Sequence, residues 1–348
     1  MPFKQLGLNL GMLVWHNSGV NSAIYPNENP NSDLAYQKAI LGSVSRTFAL
    51  TIPLLPPAIE VVVGNTYLLC RIVDTIEDAA ELNPAEKQRL SKLFLEATLG
   101  TIPVASFVGP CLDALRGYSN VDELDLIAHT PTVLRILHTF PDRDRAAIGR
   151  CVSIMSDGMS YFHNRQTQEG LKDLAEFEKY CYVVAGVVGE LLTDIFSHYS
   201  PEFAKRIQGH EQLAIAFGQA LQMTNILKDS PEDHARGVSW KPAKMSQAEL
   251  LKIAHKKLQD SMSYIILLPE NEIGMRRFCF LAFGLAVMTL EKIASRGEFS
   301  NRSEMKLSRN SVWIFYAITK IAAGNTFLMK SFFFAASKQL RKISAKND

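Results

Sequence analysis

Residues 57–80 read PAIEVVVGNTYLLCRIVDTIEDAA. Apolar residues recur at helical spacing through this stretch, and Asn83-Pro84 follows as a stop and restart signal. The helix ends on an acidic pair, Asp74 and Asp78, with Glu77 just before the second aspartate. A second stretch, QMTNILKDSPED at 222–233, repeats the arrangement with Asp229, Asp233 and Glu232. Residues i and i+4 share one helix face. Each pair therefore puts two like charges side by side beside apolar sequence. That costs a few tenths of a kcal/mol on an exposed helix and more in apolar surroundings. A cation is the natural compensation, and hard carboxylate oxygens suit Mg²⁺ completed by substrate phosphates. Opposed across a bundle, the two pairs would clamp a Mg²⁺–diphosphate cluster. Arg71 and Lys228 stand beside them as positive charges for phosphate oxygens, or as ordinary salt-bridge partners.

Working outward, the 3.6-residue pattern continues over 33–52, 84–99, 144–165, 173–199, 202–229, 246–268, 272–296 and 311–341. Strand alternation is scarce. The polar breaks at 167–173 and 230–245 are no longer than ordinary loops. The pattern predicts an all-α fold, a single domain over 33–343 after a flexible lead-in over 1–32. The chain has 348 residues, 47% of them hydrophobic, enough for a sizeable core. With 37 basic and 35 acidic residues it offers no general attraction for nucleic acid. Five dispersed cysteines without a CxxC pair read as reduced thiols of a cytoplasmic protein. The N-terminal stretch lacks the layout of a signal peptide. The segment 327–343, with FFF followed by KQLRK, fits either a helix on a membrane surface or a terminal helix packed on the core.

Five stretches together resemble the head-to-head isoprenyl diphosphate synthases: squalene synthases and, more distantly, phytoene and dehydrosqualene synthases. They are VSRTFAL at 44–50, RIVDTIED at 71–78, YCYVVAGVVG at 180–189, QMTNILKDSPED at 222–233 and FCFLAFGLAVMTL at 278–290. They follow the family's order, and the resemblance spans roughly 33–320. It implies an isoprenoid-synthase helical bundle around a deep apolar central cavity. It also implies Mg²⁺-dependent joining of two farnesyl diphosphates to presqualene diphosphate, then NADPH-dependent reduction to squalene. An oily product and an amphipathic substrate lead one to expect work close to membranes, and a monomer is expected. The alternative is a dehydrosqualene, phytoene or presqualene diphosphate synthase without the reductive step.

The resemblance carries roles onto particular residues. Asp74, Asp78, Asp229 and Asp233 are implied to hold Mg²⁺, with Glu77 and Asn225 as further ligands and Glu232 nearby. Ser45, Arg46, Arg71, Gln222, Asn225 and Lys228 are implied to contact diphosphate, metal or water, and Phe48 and Phe278 to line the cavity with aromatic faces. Tyr180 matches the tyrosine of the first half-reaction. Gly186 and Gly189 read as places of close approach by a helix or an isoprenoid chain. FSNRSEMKLSRNS at 299–311 resembles the squalene-synthase loop implied to bind NADPH, with Lys306 and Arg309 as its basic residues; a solvated basic loop is the plain alternative. Two family arginines are replaced, by Lys228 and Val238. Lysine keeps the charge but loses the fork, and Arg236 is the nearest replacement.

Overall fold

The computed structural model describes residues 30–45 and 47–345. Arg46 and nearly all of the 1–32 lead-in lie outside the described residues. The first half of the chain runs α1 (Pro30–Val44), α2 (Phe48–Thr51), α3 (Pro57–Glu77), α4 (Pro84–Thr98), α5 (Ala105–Leu115), α6 (Val121–Ala128), α7 (Thr130–His138) and α8 (Asp142–His163). The second half runs α9 (Leu174–Cys181), a π-helical turn Tyr182–Gly186, α10 (Val187–Tyr199), α11 (Pro201–Ile207), α12 (Gln212–Ala235), α13 (Gln247–Leu267) and α14 (Ile273–Arg296). After a 3₁₀ turn at Arg302–Met305 come α15 (Arg309–Ala322), α16 (Thr326–Ala336) and α17 (Lys338–Ala345). Among the described residues there is no sheet; one isolated bridge joins Leu171 to Pro242.

Local chemistry sets the boundaries. Helix α3 stops at Glu77, earlier than its apolar pattern suggests, with Asp78 as its cap. Asn83 then caps α4, its side-chain oxygen accepting from the Glu86 amide at 3.0 Å. The expected helix over 202–229 is two helices, divided around Gly209, whose φ of +76° suits glycine. The expected helix over 311–341 is three, with Asn325 capping α16. Three helices between 105 and 138 complete the bundle without a long periodic signal.

Helix α12 is the centre of the packing: α13, α10, α14 and the π turn all lie against it. Small residues make the closest of these contacts possible. A methyl group on Gly189 would lie 2.0 Å from the Ala214 carbonyl oxygen, and one on Gly218 would lie 2.0 Å from that of Ala185. The two helices therefore cross backbone against backbone. The neighbour Gly189 admits is a helix, and Gly189 also lines the cavity described below. All five cysteines are free and buried. Leu174–Tyr199 and Ile273–Arg296 are long and apolar enough to cross a membrane, but 72% of each apolar window is buried within the fold.

This crossing predicts a sharp contrast between glycines. Gly218→Ala should lower the thermal midpoint by at least about 2 °C, as overpacking costs roughly 1–3 kcal/mol. Gly42→Ala, where an added methyl meets nothing within 4 Å, should leave it unchanged or raise it slightly. Calorimetry on the two variants checks both.

Candidate active site

A cavity of about 340 Å³ opens between α1, α3, the α9–α10 rod, α12 and α14. Its apolar part is lined by Phe48, Val188, Leu192, Phe217, Leu221 and Phe278. A smaller, almost wholly apolar hollow of about 40 Å³ shares Phe48, Val188, Leu192 and Phe278 with it and reaches Tyr67 and Cys70. The polar part is built from Ser45, Arg71, Gln222, Asn225, Lys228 and Asp229. The cavity is thus amphipathic: apolar walls with a polar end.

Helix geometry explains the polar end. Gln222, Asn225, Asp229 and Asp233 fall on one stripe of α12, all of them buried. Lys228 is buried with them, 3.5 Å from Asp229 and 3.4 Å from the Asn225 side-chain oxygen. Arg71 projects from α3 and donates to Glu123 at 2.6 Å, both side chains nearly inaccessible. Ser45 accepts from the Phe48 amide at 3.0 Å, fixing the turn into α2.

Several polar atoms here are buried without a hydrogen-bond partner among the described residues. They are Arg71 Nε and Nη1, Gln222 Oε1, both Asp229 carboxylate oxygens and the Tyr180 hydroxyl. Buried polar atoms are normally satisfied, so this set marks a place built for a polar ligand. Tyr180 is fully buried, stacked on Trp240 at 4.3 Å and edge-on to Phe162 at 5.2 Å.

The electrostatics bring the two acidic motifs together. Burial pushes the Tyr180 hydroxyl well up, and the charges of Asp233, Asp78 and Asp74 push the same way. Burial also raises Asp233, with Asp78 adding to it. Burial raises Asp229 to about 6 despite the opposing Lys228 charge. The same burial lowers Lys228. Around Arg71, burial opposes the charge, but Tyr67, Asp74, Glu123 and Asp78 outweigh it and the guanidinium is held more firmly charged. Desolvated carboxylates of this kind are what a divalent cation would compensate. Among the described residues no three His, Cys, Asp or Glu side chains enclose a metal by themselves. Each ion bound here would take one or two of these carboxylates and the rest of its oxygens from phosphate, as Mg²⁺ does, so the four aspartates would serve more than one ion.

Asp74, Asp78, Asp233 and Tyr180 are not among the residues that line the cavity, and three further expected residues make their contacts elsewhere. Glu77 turns towards α4 and α8: it accepts from Ser91 at 3.0 Å, and its backbone carbonyl meets Lys87 and His163 at 2.6 and 2.9 Å. Arg309 is exposed at the start of α15 and does not line the cavity. Glu232 accepts from the Arg302 amide at 3.0 Å, tying the 299–311 loop to the second acidic motif. Lys306 does line the cavity, and so does Arg302, which sequence reasoning passed over. The only sequence signal for Arg302 was its place in the basic loop. Trp240 was also missed, since nothing in RGVSW marks it as the partner of Tyr180. Arg236 pairs with Asp233.

The fold is an all-α bundle in which Asp229 lines one amphipathic cavity and Asp74, Asp78 and Asp233 gather near Tyr180 outside that lining, the arrangement of a prenyl diphosphate synthase. The chain belongs to the squalene/phytoene synthase family, whose family model matches residues 41–249. A squalene synthase of Cochliobolus lunatus is 30% identical over 212 residues, covering 60% of this chain and 47% of the relative. The squalene synthase of Saccharomyces cerevisiae is 30% identical over 236 residues, covering 67% and 48%. The matches thus span about half the length of these relatives. In solved structures, the fold matches TcSQS in complex with the ligand E5700 with a TM-score of 0.68 at 20% identity, over 90% of this chain and all of that one. A dehydrosqualene synthase complex matches with a TM-score of 0.59 at 19% identity, over 84% and 96%.

The Glu77–His163 contact behind the site predicts a pH signature. Burial lowers His163 from 6.5 to about 4 and raises Glu77 from 4.5 to about 7. Neutral His163 stabilises fully above pH 6.5 and loses this as pH falls towards 4. Protonated Glu77 stabilises fully below pH 4.5 and loses this as pH rises towards 7. The slopes oppose, so the wild type should be nearly flat between them. Glu77→Gln should make stability rise with pH from 4 to 6.5, by up to about 1.4 kcal/mol per pH unit, and His163→Gln should make it fall from 4.5 to 7. Urea unfolding across that range measures both.

Proposed function

We propose that this chain is a squalene synthase: it joins two farnesyl diphosphates head to head through presqualene diphosphate and reduces that intermediate to squalene with NADPH. The observation that supports this most is the set of unsatisfied buried polar atoms at the polar end of an otherwise apolar cavity. Arg71 and Asp229 offer opposite charges there, as a metal–diphosphate group requires.

Asp74, Asp78, Asp229 and Asp233, with Asn225, are the residues that would hold Mg²⁺. The ion's chemistry is charge neutralisation on the departing diphosphate. Arg71 and Lys228 would bind its oxygens, with Ser45 and Gln222 as hydrogen-bonding partners. The prenyl chains would lie along Phe48, Val188, Leu192, Leu221 and Phe278, which exclude water from an allylic cation. The aromatic faces of Phe48 and Phe278 favour positive charge. Tyr180, locked by Trp240, would orient its hydroxyl beside the acidic cluster and keep its proton at neutral pH. Lys306 and Arg302, which also line the cavity, would bind the NADPH phosphates, and NADPH would supply hydride. The enzyme would work as a cytoplasmic monomer, peripheral to a membrane.

A second reading has the chain release presqualene diphosphate, or form dehydrosqualene or phytoene, without a reductant. The exposed position of Arg309, outside the cavity lining, favours it.

Purified protein incubated with farnesyl diphosphate and Mg²⁺ should give squalene only when NADPH is added, read by mass spectrometry. A desaturated C30 product, or presqualene diphosphate regardless of NADPH, would establish the second reading instead. Asp229→Asn should lower turnover at least about 100-fold with the fold intact. Arg302→Ala should leave the first half-reaction active and raise the KM for NADPH.

A further inference from the structure

The turn that carries Arg302 and Lys306 is fastened to α14 and to itself. The chain leaves α14 at Gly297, whose φ of +80° suits glycine. Glu304 then accepts from the Ser300 and Asn301 amides, each at 3.1 Å, and pairs with Arg296 in the last turn of α14. Met305 is buried, and the Lys306 carbonyl oxygen accepts from Lys292 on α14 at 2.7 Å.

Glu232 makes the connection across to α12. It stands in the same acidic motif as Asp229 and Asp233, yet its two carboxylate oxygens accept from the Arg302 amide at 3.0 and 3.2 Å. Arg302 Nε lies 3.7 Å from one of them. The amide belongs to the main chain, so this bond fixes where the whole turn lies, not only where one side chain points. A carboxylate with both oxygens turned to an N–H donor is an anchor rather than a free metal ligand.

What the anchor sets is the place of two cations. Arg302 and Lys306 line the same cavity as Lys228 and Asp229. They lie near enough for both charges to oppose that of Lys228, and for Arg302 to favour the ionised Asp229. Without the Glu232 bond the turn would keep its hold on α14 and lose its register against α12.

We infer that Glu232 is a positioning residue for the reductive half-reaction: by holding the Arg302 amide it sets Arg302 and Lys306 at the polar end of the cavity, where they take up the phosphates of NADPH. This rests on the squalene synthase reading above and divides the labour within one acidic motif. The aspartates serve the diphosphates, and the glutamate serves the reductant.

The test gives wild type, Glu232→Ala and Glu232→Gln farnesyl diphosphate, Mg²⁺ and graded NADPH, with presqualene diphosphate and squalene read by mass spectrometry. Consumption of farnesyl diphosphate without NADPH measures the first half-reaction alone, and Glu232→Ala should keep that rate within about threefold. Its KM for NADPH should rise at least about tenfold, the factor expected for a lost hydrogen bond to a charged group, and presqualene diphosphate should accumulate. At saturating NADPH its squalene rate should return to within about threefold of wild type, a split of KM from kcat that general loosening of the fold would not give. Glu232→Gln keeps an acceptor for the Arg302 amide and should hold the KM for NADPH within about threefold of wild type. Glu232 is partly exposed, and both variants should keep the wild-type thermal midpoint. An unchanged KM for NADPH in Glu232→Ala, or one raised equally in both variants, would overturn the inference alone. So would a first half-reaction lost in both variants with a raised Mg²⁺ requirement, which would make Glu232 a metal ligand. A wild type that forms no squalene with NADPH would overturn the squalene synthase reading itself, and the inference with it.

Discussion

The contact between Gly189 and Gly218 is the constraint from which the site's geometry follows. Where two helices touch through their main chains, the side chains on the neighbouring turns have fixed depths and directions. On α12 the turn after Gly218 carries Leu221 and Gln222, the next Asn225, and the next Lys228 and Asp229, all of them cavity residues. On the other rod, the π turn sits between Tyr180 and Gly189. Such turns are short, costly departures from α geometry and often occur at functional sites. Here the extra residue resets the phase between Tyr180, buried against Trp240, and Val188, Gly189 and Leu192, which face the cavity.

The polar end carries an energetic cost that the rest of the bundle offsets. Buried ion pairs seldom stabilise a fold relative to apolar residues of the same size, but they hold charge in one orientation. The Arg71–Glu123 pair does this: Nη2 is engaged by α6, while Nε and Nη1 have no hydrogen-bond partner among the described residues and the side chain lines the cavity. Glu123 is itself fixed by its capping box with Asn120 at the start of α6. A loop-and-cap feature of ordinary appearance therefore determines the direction of a binding cation.

Much of this was legible in the sequence, for identifiable reasons. Carboxylates four apart within apolar helices are costly enough to stand out; Asp74, Asp229 and Asp233 are buried and Asp78 is half-buried, and Asp74, Asp78 and Asp233 all act on Tyr180. The all-α architecture followed from long amphipathic periods. What escaped was set by tertiary contact. Glu77 shares its sequence motif with Asp74 and Asp78, yet its carboxylate accepts from Ser91 and its backbone carbonyl from Lys87, both on the adjoining α4. Trp240 lies in a loop and Arg302 opens a single 3₁₀ turn, and in neither place does a periodicity fix direction. The helices between 105 and 138 are too short for a strong periodic signal, and the single apolar run at 311–341 concealed two breaks because Asn325 and Ser337 act through capping and local hydrogen bonds.

The five free cysteines give the bundle a built-in record of its own motions. Cys70, Cys111, Cys151, Cys181 and Cys279 are all at most 1% exposed, and they sit on α3, α5, α8, α9 and α14. Burial raises the thiols of Cys111, Cys181 and Cys279, and a hydrogen bond with Cys151 followed by burial raises that of Cys70, keeping all four in the unreactive protonated form. An alkylating reagent therefore reaches each one only when its own helix opens. The order in which the five are modified ranks those helices by the free energy needed to detach them.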